Sequence, residues 1–397
     1  MIKEKISSLT RNPNSLVALL LIFFVGDAMV KSCYYAHCDF HNFSAITRGL
    51  FFALSLFLSL FYLTYFRKKT LLFISILALF FFLGQYAFSP KGFEDHLLDN
   101  FIYFSRYLFI FSILLFYNGL RTIPLHKKAL NTFEWIIIIN TAALFVGFLF
   151  DMKMLKTYQG TRFGFSGFFL VPSISTFFYA ISLSYLAFKI KEAPKYKLLF
   201  IAVLLASFLV GTKALLLFAA LTLAHLFFLY KIYLHKIFYG FLAAAILLFF
   251  IFKNKLISVL EKTFSVLVSV YEESGFITMA TSYRNVNLQS DLIEMVDAHW
   301  GIINYLIGGT NFTRYRVEFD FIDVFLFFGI VGGVLYLIYY FKHIIKFFKL
   351  TRFGKIQVGF ILCIGFLSGS FFNNAPIALY LCVLLFTIFK SDINEVL

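Results

Sequence analysis

The sequence predicts an all-α fold: a polytopic integral membrane protein of about twelve transmembrane helices with one large periplasmic loop. Two observations set the class. Hydrophobic residues make up 61% of the chain and charged residues 14%, with mean hydropathy +0.87, outside the soluble range. Apolar runs of about 17 to 25 residues bounded by charge recur along the chain, the length a bilayer core demands.

The runs fall at 15–31, 45–66, 70–89, 101–120, 133–150, 165–188, 196–210, 213–230, 237–252, 321–341, 356–372 and 375–389. They divide the chain into an N-terminal bundle (1–252, about nine spans), a large loop (253–320) and a C-terminal three-span segment (321–397). Connections alternate in charge. "RKK" at 67, "RTIPLHKK" at 121, "KIKEAPKYK" at 189, "KIYLHK" at 231 and "KHIIKFFKLTRFGK" at 342 form one set. "GFEDHLLDN" at 92 and the segment after 253 form the other. With the termini, the first set carries roughly 21 basic against 5 acidic residues, the second roughly 14 against 15. That bias puts both termini in the cytoplasm and accounts for the net charge of +15 without nucleic acid. The first span has no small-residue cleavage site after it and reads as retained.

Only the long outer segment is large enough to fold against the membrane. In "LISVLEKTFSVLVSVY", Leu256, Leu260, Phe264, Leu267, Val268 and Tyr271 share one helical face. In "NLQSDLIEMVDAHWGIINYLIGG", Leu288, Leu292, Met295, Val296, Ile303 and Leu306 form a second stripe.

Basic residues on the outer side run against the orientation rule, which singles out Arg162, Lys213, Arg284, Arg314 and Arg316. Arg162 sits in "GTRFGFSG", where glycines allow backbone to approach a ligand. Lys213 in "LVGTKALLL" opens a span, where a cation opposes the helix dipole. Gathered on one face, these cations suit a lipid-linked pyrophosphate. The competing reading is snorkelling to headgroups or pairing with acids.

"EFDFIDVFLFFGIVGG" supplies the candidate catalytic carboxylates Glu318, Asp320 and Asp323. Helix capping and pairing with Arg314 or Arg316 compete as explanations. Asp323, one turn deeper, is expected to face a polar cavity rather than lipid.

"CYYAHCDFH" places Cys33, His37, Cys38 and His41 close together at no standard metal-ligand spacing, and a Cys33–Cys38 disulfide is left open. His299 in "VDAHWG" is a reserve base. No GxxxxGK[ST], HExxH or paired CxxC occurs, so neither an ATP-driven pump nor a zinc module is indicated.

The order "TRFGFSG", "GTKALLL", "SYRN", "LIGGTNF", "EFDFIDVFLFFGIVGG", "SGSFFNN", set against the span map, resembles the O-antigen polymerase (Wzy-type) and O-antigen ligase superfamily over roughly the second half of the chain. Ligases of that superfamily carry a His, a polar neighbour, nine residues and GxxG. Gly329 and Gly332 match the GxxG, but Glu318 and Phe319 stand at the other two positions, which favours the polymerase side.

The resemblance implies a glycosyltransferase at the outer face of the bacterial inner membrane, polymerising O-antigen, capsule or exopolysaccharide repeat units. A glycan passes from undecaprenyl pyrophosphate to a hydroxyl of another lipid-linked unit, with no metal or nucleotide cofactor. A flippase and a chain-length regulator are the implied partners. Arg162, Lys213, Arg284 and one of Arg314 or Arg316 would hold the pyrophosphate. Glu318 would be the base, Asp320 the second choice and Asp323 its partner. The alternatives are an O-antigen ligase and a lipid-linked oligosaccharide flippase.

Overall fold

In a computed structural model, helices stand at eleven of the twelve apolar runs; the twelfth, 237–252, lies outside the described residues. The structure describes residues 12–38, 42–88, 93–119, 123, 126–158, 162–190, 193–234, 239, 253, 268–345 and 350–394. The long helices are α1 (Pro13–Ala36), α2 (Phe43–Phe61), α3 (Tyr65–Phe88), α4 (Phe93–Tyr117), α5 (Lys127–Leu149), α6 (Pro172–Lys189), α7 (Pro194–Val210), α8 (Lys213–Leu229), α9 (Asp320–Tyr340), α10 (Arg352–Ser368) and α11 (Ala375–Asn394). No strand occurs among the described residues. Among the described residues, six helical segments are long and apolar enough to cross a membrane: Asn14–Ala36, Phe43–Phe61, Tyr65–Phe88, His96–Tyr117, Lys127–Leu149 and Asp320–Ile345. The chain is a helical, multi-pass membrane protein.

Burial sorts helices that look alike in sequence. α6 is buried continuously from Ile174 to Ala187, and α11 packs on α1, α4 and α6. These helices form the centre; α6 carries buried hydroxyls that pair inside the bundle rather than in lipid, Thr176 with Thr212 and Ser184 with Gln357. α7 is peripheral: Leu198, Ile201, Leu205 and Phe208 are exposed at helical spacing, while Phe200, Val203, Ala206 and Val210 face inward. An exposed apolar stripe of this kind suits lipid. Of the "RKK" charges, Arg67 is no solvated loop residue. It is fully buried, and its guanidinium donates to the carbonyls of Tyr62, Leu115 and Phe116, closing the C-terminal end of α4.

The amphipathic stripe after 287 forms only in part. Leu292 and Met295 are buried, but the helix stops at His299 and restarts at Ile302, leaving Ile303 and Leu306 exposed. The other stripe falls largely outside the described residues; its end begins a helix over 268–281.

"LIGGTNF" is an internal brace. Asn304 donates to the carbonyls of Gly84 and Gly308, and Asn100 donates to the carbonyl of Thr310 while accepting from the Phe312 amide. Gly329, the first glycine of the GxxG, breaks α9 at φ +69°; backbone of residues 306–308 lies where its Cβ would be.

A cationic cavity as the candidate active site

The loop after α5 is built to hold Arg162. Thr157 donates its backbone N–H to the Gly164 carbonyl at 2.8 Å, closing the turn that carries Tyr158 and Arg162. From α1, buried Lys31 donates to Ser166 Oγ and the Gly167 carbonyl, both at 2.7 Å, and to the Lys156 carbonyl at 3.2 Å. Gly164 and Gly167 are needed for packing: a Cβ on Gly164 would strike the Val210 carbonyl, and one on Gly167 the Asn140 side chain. Gly160 lies outside the described residues. The Arg162 guanidinium sits 3.8 Å above the Tyr158 ring. Burial lifts the Tyr158 phenol above its ordinary range, outweighing the pull of Arg162 and Arg284.

Lys213 is the first residue of α8, as its sequence position suggests. Its ammonium donates to the Met279 carbonyl at the end of helix 268–281, a local acceptor for a cation that the dipole disfavours.

Glu318 stands in a left-handed turn (φ +65°) just before α9. Its Oε1 pairs with Arg316 at 2.6 Å and its Oε2 with Arg284 at 3.1 Å; Arg284 also donates to the Ser368 carbonyl. Burial works against the carboxylate's charge, but the two guanidiniums prevail and hold Glu318 below the usual carboxylate range. Arg314 is exposed on the ring of Tyr315 and takes no part, so of the two candidates it is Arg316 that reaches the site.

Asp320, Asp323 and His299, which the sequence offers as catalytic or reserve groups, are not brought to the wall of the candidate site. Asp320 is fully buried and accepts the Phe371 amide at 2.5 Å. Asp323, also fully buried, does not line the candidate cavity; it accepts the Val317 amide at 3.0 Å. Both hold backbone beside the site and neither lines it. His299 packs edge-on to Phe88, 5.8 Å between centroids, and does not line it either.

Arg162, Lys213, Arg284, Arg316 and Glu318 line one cavity of about 1270 Å³. Two further cations complete its wall, Arg48 from α2 and Arg106 from α4. Their signal in the sequence is a charge inside an apolar run, in "AITRGLFF" and "YFSRYLFIF". Buried Asp27, from α1, pairs with Arg48. Glu318 is the one carboxylate among the described residues that lines the cavity. The chain matches no family model, no curated protein and no solved structure.

Phe52, Leu56, Phe101, Phe109 and Leu217 form an apolar part of the same wall. The cavity therefore offers guanidinium forks for phosphate oxygens beside a surface for hydrocarbon. Ser173 Oγ, Ser368 Oγ and Asn374 Oδ1 also belong to wall residues and have no hydrogen-bond partner among the described residues. At the end of α1, Cys33 and Cys38 are joined in a disulfide, which removes them as metal ligands; His41 lies outside the described residues.

Proposed function

We propose that this protein is a polysaccharide repeat-unit polymerase that acts on undecaprenyl-pyrophosphate-linked glycans at the outer face of the bacterial inner membrane. The observation that carries the reading is the convergence of Arg162, Lys213, Arg284 and Arg316 on one cavity with a partly apolar wall. Four cations that the orientation rule disfavours share a site suited to an anionic head on a hydrocarbon tail.

A twelve-span topology with cytoplasmic termini fits this reading. α8 leads away from the cavity end at Lys213, and Met279 meets Lys213 at that same end. The Cys33–Cys38 disulfide lies at the same end as Lys31 and its loop, and suits an oxidising outer compartment.

In the reaction, a sugar hydroxyl of the acceptor forms a bond to the donor's anomeric carbon. The bond from that carbon to the diphosphate oxygen breaks, and the cations take up the charge that develops on the leaving diphosphate. Glu318 receives the hydroxyl proton. Phosphate oxygens compete with Glu318 for Arg284 and Arg316, and a carboxylate released from those partners regains basicity.

The test is chain growth on lipid-pyrophosphate-linked repeat units by purified protein in nanodiscs. Wild type should extend them to a ladder; Arg162→Gln and Arg284→Gln should each cut long product at least tenfold. Transfer to a lipid A core in place of ladder growth would make the protein a ligase. Undiminished ladders from both variants would remove the cavity from the chemistry.

A further inference from the structure

Among the described residues, the six cations of the cavity fall into two groups of three. Arg162, Lys213 and Arg284 come from the loop after α5, the start of α8 and the segment after helix 268–281; Lys213 feels the repulsion of both arginines. Arg48, Arg106 and Arg316 form the other group. The Arg106 and Arg316 guanidiniums flank one ring, that of Tyr103, at 4.9 and 5.9 Å from its centroid. Arg106 feels the repulsion of both Arg48 and Arg316. Glu318 joins the groups, one carboxylate oxygen on Arg284 and the other on Arg316.

We propose that the cavity binds two lipid-linked diphosphates at once, one on each cation triad, with Glu318 between them. This rests on the polymerase reading, in which donor and acceptor both carry a lipid diphosphate. The charge balance of the wall agrees in sign. Six wall cations face one wall carboxylate, Glu318, with buried Asp27 behind Arg48 and buried Asp320 and Asp323 near Arg316, so positive charge stays in excess. A diphosphate diester brings about one negative charge per phosphorus to offset it. Like charges kept this close inside a membrane protein are costly without an anion to share.

The donor belongs on Arg162, Lys213 and Arg284. The carboxylate facing that triad, Glu318, is divided between Arg284 and Arg316, whereas Arg48 of the other triad has Asp27 as well. The leaving diphosphate needs the larger uncompensated charge. Arg106 and Arg48 then hold the acceptor's diphosphate, and the acceptor glycan reaches back toward Glu318.

The test is the stoichiometry of undecaprenyl pyrophosphate on the purified, detergent-solubilised full chain, read by native mass spectrometry, with undecaprenyl phosphate and phosphatidylglycerol as control probes. Wild type should bind two. Arg106→Gln and Arg162→Gln should each bind one, and the copy retained shows that the variant is folded. Should Arg106→Gln not fold, Arg106→Lys, which keeps charge but loses the fork, should weaken one of the two sites at least tenfold. A wild type that binds one copy, or an Arg106 variant that binds two with unchanged affinity, overturns the second site and leaves the polymerase reading standing. No preference for the diphosphate lipid over phosphatidylglycerol overturns both.

Discussion

The Asp320 carboxylate accepts the backbone N–H of Phe371 at 2.5 Å, and so ties the start of α9 to the turn between α10 and α11 across fifty-one residues of chain. That turn, "SGSFFNN", carries Ser368, Ser370, Asn373 and Asn374 into the cavity wall. A carboxylate in this position holds the wall from behind it.

Asp320→Asn keeps a side-chain oxygen for the Phe371 amide, so under the polymerase proposal it should retain polymer synthesis within a few-fold of wild type. Asp320→Ala leaves that buried N–H unpaired and should cost about 1–3 kcal/mol of stability, read as a lowered melting temperature. Loss of synthesis by a stable Asp320→Asn protein would return Asp320 to the chemistry.

Lys31 braces both ends of the loop that carries Arg162. Lys31→Met removes three hydrogen bonds to the 156–167 loop and strands buried acceptors, so the protein should be destabilised by about 1–3 kcal/mol. Because the loop also aims Arg162, diphosphate affinity should fall further than it does in a variant of equal stability elsewhere in the bundle. Equal affinity in two such stability-matched variants would leave Lys31 a packing residue.

The two glycines of the GxxG have different tasks. Gly329 sits at φ +69° with no room for a Cβ against the 306–308 backbone, so Gly329→Ala should prevent accumulation of folded protein in the membrane. Gly332 is helical, and its Cβ would lie 3.0 Å from Phe328 Cβ and 3.3 Å from Phe80 Cδ2. The Phe80 ring can shift but Phe328 Cβ moves only with the backbone, so Gly332→Ala should cost about 1–3 kcal/mol while the protein still folds. Detergent-solubilised yield and thermal melts of the two variants check both statements.

Glu318 links the site to pH. Arg316 and Arg284 depress its folded-state affinity for protons below that of the unfolded chain. The stabilisation is therefore present above the ordinary carboxylate range and is lost as pH falls through the depressed folded value. Melting temperatures of wild type and Glu318→Gln should differ at pH 7 and converge in strong acid. A gap that persists through that range would mean the pair contributes nothing through charge.

The sequence alone determined the class and nearly every helix, since runs of about twenty apolar residues leave the backbone no alternative in lipid. It also picked out Arg162, Lys213, Arg284 and Arg316, because each breaks the charge bias of its side. What it could not decide is which charges face one another. Arg48 and Arg106 lie more than a hundred residues from Lys213, and only the fold, which sets α2 and α4 around the same cavity as the start of α8 and the 316–318 turn, brings them to one wall. The carboxylates divided for the same reason. In sequence, Glu318, Asp320 and Asp323 are three acids in six residues. In the fold, a left-handed turn at Glu318 sends one to the arginines, while buried backbone amides at Phe371 and Val317, which must be paired away from water, claim the other two.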